Sequence, residues 1–206
     1  MQKKYIILSM NNEGKTKKLV LIAFFSTLAA LLMLIEIVVP IVPSFIKMDM
    51  SELPVILGGY LLGPANGVVI IILKIVIKLF IKPSSTLFLG EIINFIAGLF
   101  YMLPAVLIYK YHKSLKGAII SLAVGTVVSS LVVTVLDYYI VFPLYSILFG
   151  MSMDSIIAAG TAINKNIHDL FTLMLISVFP FNLLKYGFTS IITLLLYKHL
   201  KNAFKL

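Results

Sequence analysis

The stretch LPVILGGYLLGPANGVVIIILKIVIKLFI, residues 53–81, decides how many times this chain crosses a membrane. As one helix rising 1.5 Å per residue it would be about 43 Å long, well beyond a hydrocarbon core of about 30 Å. It carries its own break, Gly58-Gly59 and then Gly63-Pro64, the latter a strong turn dipeptide. Just ahead, Asp49-Met50-Ser51-Glu52 reads as a helix start, with Pro54 tolerated in the first turn. A hairpin is therefore expected, with a second helix over residues 51–62 too short to cross alone unless it tilts into other protein.

The rest of the chain fits that reading. Of 206 residues, 61% are hydrophobic and 12% charged, more apolar surface than a soluble domain of this size can hide. Formal charge is +9 and every basic side chain is lysine. The lysines gather at span ends, so positive-inside topology explains them better than nucleic acid does. There is no cysteine, which excludes disulfides and thiol chemistry. Residues 3–10 resemble the start of a signal peptide, but the apolar run is too short. The span after it ends in Val38-Val39-Pro40-Ile41-Val42-Pro43 without a small-residue cleavage pattern, as a retained anchor would.

Further spans read as 19–39, 87–109, 117–142 and 170–197, with an irregular stretch over 143–168. Three lysine clusters belong inside: residues 3–18, then Lys110, Lys113 and Lys116, then Lys198, Lys201 and Lys205. Only a hairpin over 53–81 leaves them all on one side. The expected fold is an all-α integral membrane protein with six transmembrane helices, both termini cytoplasmic, a short second helix and outer loops over a ligand pocket. It forms a single membrane domain over 1–206: a cytoplasmic segment 1–18, a six-helix bundle 19–198 and a tail 199–206.

This topology gathers costly side chains in the outer half. Asn182 and Lys185, three residues apart on one helix face, lie near mid-membrane after Pro180, which should bend the last span. An ionisable group at that depth is a functional-site hypothesis by default. Glu91 and Asn94 share a face near the outer end of their span, either capping it or lining a pocket. Lys74, Lys78 and Lys82 recur every four residues. Lys78 and Lys82 fit snorkelling, whereas Lys74 is deep enough for a partner or ligand contact as well. Asp137 is open to an ion pair with a lysine such as Lys74, or to ligand. Glu36 sits at the interface. Tyr138, Tyr139 and Tyr145 read as interface-belt aromatics, or one as a stacking partner for a planar ligand. The long segment 143–168 suggests a lid, with a short helix over 154–159. Small residues in the first span (Ala23, Ser26, Thr27, Ala29, Ala30) would let another helix approach closely. No enzyme signature is present: no phosphate-cradling Gly-rich loop, no H-E-x-x-H, no G-x-S-x-G. Nor is there an inverted repeat or a row of relay carboxylates, so a binding protein needing outside energy fits better than a self-sufficient pump.

Several motifs resemble those of riboflavin-specific S-components, the substrate-binding subunits of energy-coupling factor transporters. Lys47-Met48-Asp49-Met50-Ser51-Glu52-Leu53-Pro54 with Gly58-Gly59 and Leu62-Gly63-Pro64 resembles the first loop and second helix. Gly90-Glu91-Ile92-Ile93-Asn94-Phe95 resembles the fourth-helix motif, and Pro180-Phe181-Asn182-Leu183-Leu184-Lys185 the last-helix motif. Pro143-Leu144-Tyr145 and Ala162-Ile163-Asn164 follow in the family's order, and the likeness covers nearly everything after residue 17.

The resemblance implies six helices, an extracellular vitamin pocket gated by the first loop, and partners: a transmembrane T-subunit and two cytoplasmic ATP-binding subunits that drive toppling. It implies ligand contacts from Asn182 and Lys185 at the polar edge or ribityl chain, with Asn94 and Asp137 second and Glu91, Lys74 and Asn164 nearby. Met48 and Leu53 would cover the apolar ring. Docking would use Ala23 and Thr27, with Ala30 one turn on. The family often has Asn where this chain has Asp137, so the acceptor is kept and the amide donor lost. Riboflavin would be cargo, with no cofactor, no metal and no nucleic acid. The alternatives are a subunit for FMN or another vitamin, a stand-alone proton-coupled carrier, or a ligand-free assembly protein.

Overall fold

The computed structural model describes the backbone over residues 2–204 and the side chains over 14–196. The side chains of Lys3, Lys4, Lys198, Lys201 and Lys205 lie outside the described residues.

The break at Gly63 is where the sequence puts it. Helix α2 (Glu52–Leu62) ends there and α3 (Pro64–Ile81) starts with proline in its first turn. Gly63 has φ 88°, a left-handed conformation that side-chain-bearing residues rarely adopt. Reversal about this residue brings Lys74, eleven positions after it, onto Glu52, eleven before it. Helix α2 is nearly all interior and packs on α3 and on three further helices. These are α1 (Gln2–Leu34), α4 (Leu89–Tyr111) and the last helix, α9 (Phe179–Phe204). Seven of its 11 residues are buried against protein, which is how so short a helix satisfies a membrane fold.

The first helix stops at Leu34, before the expected residue 39. Ile37–Val38 (β1) instead pairs antiparallel with Lys47–Met48 (β2), in register Ile37↔Met48 and Val38↔Lys47. This small ribbon ties down the loop that leads to α2.

Helix α5 (Leu115–Leu136) also differs from expectation, because it continues through residues expected to be irregular. A π-helical turn over Asp137–Val141 leads into α6 (Phe142–Phe149). Then come α7 (Met153–Thr161), covering the expected short helix, and α8 (Leu170–Leu173). A second π turn, Met174–Val178, leads into α9. Each π turn directly precedes an X-Pro pair, Phe142-Pro143 and Phe179-Pro180. Proline has no N–H and crowds the carbonyl four residues back, and the wider π turn relieves that crowding.

Among the described residues, five helical runs are long and apolar enough to cross a membrane: Gly14–Leu34, Pro64–Ile81, Leu89–Tyr111, Leu115–Phe149 and Leu170–Leu196. The main core lies where α1 to α5 and α9 meet, with Phe25, Ile56, Ile70, Tyr101, Met102, Leu122 and Tyr186 inside. A smaller cluster around Phe142, Ile156, Ile167 and Leu173 holds α6, α7 and α8 together.

Candidate functional site

Three helix faces and one loop enclose a two-lobed cavity. One lobe, about 150 Å³, is lined by Gly90, Ile93, Asn94 and Ala97 of α4, spaced 3, 4 and 7 residues on and so on one face. Val133, Asp137 and Val141 supply the second wall at four-residue intervals. Val178, Phe181, Asn182, Lys185 and Tyr186 supply the third, and Phe45 and Ile46 come from the ribbon loop. Phe45 is fixed there by ring contacts of 6.0 Å to Phe142 and 6.1 Å to Tyr145. The other lobe, about 180 Å³, shares Phe45, Lys47, Gly90, Asn94 and Tyr145 and adds the polar groups of Glu36, Asp49, Lys78, Ser85, Thr86 and Glu91. One lobe is thus walled mainly by hydrocarbon and aromatic rings, the other by charge.

The polar groups are held in pairs. Lys185 Nζ lies 2.9 Å from Asp49 Oδ2, joining the last helix to the loop before α2. The other Asp49 oxygen accepts the Ser51 backbone N–H at 2.9 Å. Burial pushes the Asp49 carboxyl up, but the Lys185 and Lys74 ammonium groups outweigh it and hold the group down to about 2. Lys78 Nζ donates to Glu91 at 2.5 Å, and the remaining Glu91 oxygen accepts from Ser84 (2.7 Å) and Thr86 (3.3 Å). Glu36 binds Lys47 (2.7 Å) and Lys82 (3.3 Å) at the surface, and the Lys47 hydrogen bond foremost lowers its pKa.

Two cavity groups stand apart. Asn182, 4% exposed, has an amide nitrogen with no hydrogen-bond partner among the described residues. A buried donor left unpaired costs about 1–3 kcal/mol, and this one faces open space on a cavity wall. The Asp137 side chain lines the same lobe with no ion pair or hydrogen bond among the described residues.

The residues picked out from sequence therefore divide. Asn182, Lys185, Asn94 and Asp137 meet around the first lobe, and Glu91 and Asn94 line the second. Lys74 does not line either lobe: fully buried, it binds Glu52 and, at 3.0 Å, Ser51 Oγ. The hairpin has already given it a carboxylate, so the considered Lys74–Asp137 pair does not form. Glu52 lies against Gly98, where a Cβ would come within 3.0 Å of its carboxylate. Lys78 does not snorkel but is buried on Glu91.

Met48 belongs to β2 and Leu53 packs into the main core, so the side chains the loop offers to the cavity are Phe45, Ile46, Lys47 and Asp49. Asn164 sits in the turn after α7, accepting the Asn166 N–H at 3.0 Å, away from both lobes. On α1, Ala23 and Thr27 are exposed. Ala30 is fully buried, on the edge of the stripe of Ile22, Ser26, Ala29 and Met33 that faces α2 and α3, and offers no surface for docking. Phe45 and Asp49 are the site residues that sequence reasoning missed. The acidic residue just before a helix start was visible, but its partner lies 136 residues away.

The profile of the ECF transporter substrate-specific component family matches residues 17–197. The chain is 29% identical to the riboflavin transporter RibU of Staphylococcus aureus strain TCH60 over 194 residues, covering 94% of this chain and 95% of that protein. It is 29% identical to the riboflavin transporter FmnP of Bacillus subtilis over 188 residues, covering 91% and 93%. With the riboflavin transporter RibU of Lactococcus lactis subsp. cremoris strain NZ9000 it shares 32% identity over 182 residues, 84% of this chain and 87% of that one. A solved structure described as the S component of a bacterial ECF transporter superposes with a TM-score of 0.72 at 28% identity, covering 93% of this chain and 99% of the other.

Proposed function

This chain belongs to the substrate-specific component family of ECF transporters, a multi-pass bacterial membrane protein and not an enzyme, and from that premise we propose that it captures riboflavin from outside the cell. The observation that carries this reading is the unpaired Asn182 amide on the wall of a cavity half hydrocarbon and half polar. Riboflavin has the same division. Its ring is planar and apolar at one end, its imide edge presents donors and acceptors, and its ribityl chain is a string of hydroxyls. In this reading Asn182 and Lys185 meet the polar edge, Phe45, Val178 and Phe181 cover the ring, and Asn94 and Glu91 face the hydroxyls. Asp137 adds an acceptor.

The chain would span the membrane with six helices, the enclosed α2 among them, and with both ends in the cytoplasm. It would release cargo by toppling within a complex of a T-subunit and two ATP-binding subunits, docking through the exposed face that holds Ala23 and Thr27. Flavin absorbance in the detergent-purified chain tests the ligand. A colourless protein that takes up no added riboflavin would rule it out. The unpartnered Asp137 favours a second reading, a proton-coupled carrier acting alone. Riboflavin uptake into vesicles holding only the purified chain, without ATP, would select that reading.

A further inference from the structure

Among the described residues, Asp137 is the cavity carboxyl to which the fold gives no cation. The π turn ahead of Phe142-Pro143 begins at this residue and sets it on the apolar wall between Val133 and Val141. Its side chain is buried there, yet it makes neither an ion pair nor a hydrogen bond among the described residues.

The groups around it do not supply a counter-charge. Lys185 and Tyr186 approach from α9, Lys47 and Asp49 from the ribbon loop, Tyr145 from α6 and Glu91 from α4, with Tyr138 beside it in the turn. Lys185 is matched by Asp49 at 2.9 Å, Lys47 by Glu36 at 2.7 Å and Lys78 by Glu91 at 2.5 Å. Charge therefore balances without Asp137. An ionised Asp137 would be a surplus charge walled by Val133, Val141, Phe142 and Val178, and enclosing a charge is costly unless it is paired. As the acid, the same side chain offers an O–H donor and a carbonyl acceptor. A flat ligand filling the lobe would also displace the water that still reaches it, which penalises the ionised form further. The ring nitrogens and carbonyl oxygens of a flavin are acceptors that an O–H can serve and a carboxylate cannot.

We propose, building on the flavin reading above, that the chain binds riboflavin with Asp137 protonated and donating a hydrogen bond to the ligand, so that capture takes up a proton wherever the free carboxyl is ionised. Affinity is then level in acid and falls, by up to about tenfold per pH unit, once the free carboxyl must gain a proton before binding. The proton is here a part of the binding site and not the driving force of transport.

The test is calorimetric titration of the purified full-length chain with riboflavin from pH 5 to pH 9, in buffers of different ionisation enthalpy, for the unmodified protein and Asp137→Asn. Across this range Asp49 stays ionised, being held at about 2, and lysines and tyrosines ordinarily titrate at about 10. The unmodified chain should bind at least about tenfold more weakly at pH 9 than at pH 6. Its binding heat at the alkaline end should vary with the buffer in proportion to the proton taken up, approaching one per riboflavin. Asp137→Asn, whose amide needs no proton to donate, should lose both the pH dependence and the buffer dependence. If that variant does not fold, the buffer dependence of the unmodified chain decides. Level affinity without proton uptake, or a pH profile that Asp137→Asn shares, would overturn the inference while leaving riboflavin binding intact. Binding of no riboflavin at any pH would instead remove the flavin reading, and this inference with it.

Discussion

Lys74 and Lys185 are both buried lysines held by carboxylates, yet they sit in different surroundings. Lys74 is 0% exposed and sealed between α2 and α3 on Glu52 and Ser51, lining neither lobe of the cavity. Lys185 shares its carboxylate with the wall of a hollow that also holds the unpaired Asn182 amide. The same chemistry thus closes a hairpin in one place and lines a hollow in the other. Depth alone does not tell them apart; the neighbouring empty space does.

The largest effect should come from breaking the sealed pair. Lys74→Met leaves Glu52 charged and buried without its cation, and should cost about 3–5 kcal/mol, seen as a large drop in thermal stability in detergent. Adding Glu52→Gln to that variant should recover much of the loss, because the uncompensated charge is gone. Little recovery would mean that Lys74 acts by something other than pairing. Next in size is Asn182→Ala, expected to weaken riboflavin binding by about 1–3 kcal/mol while leaving the ligand-free protein no less stable, since the amide it removes is unsatisfied without ligand. A stability loss with unchanged affinity would put Asn182 on the structural side of the comparison.

The Lys185–Asp49 pair also has a pH signature. The Asp49 carboxyl is held at about 2, below its ordinary value of 3.8, so its contribution to stability is fully present above about 4 and is lost as pH falls through about 2. The melting temperature of Asp49→Asn should therefore converge on that of the unmodified chain as the medium is acidified, and a constant gap down to pH 2 would contradict the pairing. The smallest effect belongs to the surface. Glu36→Gln, at an exposed pair with Lys47, should change stability by no more than about 0.5 kcal/mol.

Much of the molecule was readable in advance where the cause is local. Gly63-Pro64 stops and restarts a helix through backbone sterics, and Asn182 and Lys185 share a face because three residues are most of a helical turn. Gly90, Ile93, Asn94 and Ala97 form a cavity face for the same reason. Local reasoning failed at the partners. Lys78 was read as snorkelling to the interface because nothing nearby in sequence shows that Glu91 folds onto it. The helical continuation through 143–149 differs from the expected irregular stretch because proline discourages regular α-helix, while the π turn ahead of it accommodates the ring. Ala30 and Ala23 lie seven residues apart on nearly the same helix face, and only the position of α2 and α3 buries one and leaves the other open.

Sequence by itself determined the medium, the hairpin and the faces, because hydropathy, turn chemistry and the 3.6-residue period act over a few residues at a time. Tertiary structure alone decided which charge meets which, and where the hollow lies between the helices. Those outcomes depend on contacts such as Asp49 to Lys185, 136 residues apart, and on space left unfilled, which no single helix contains.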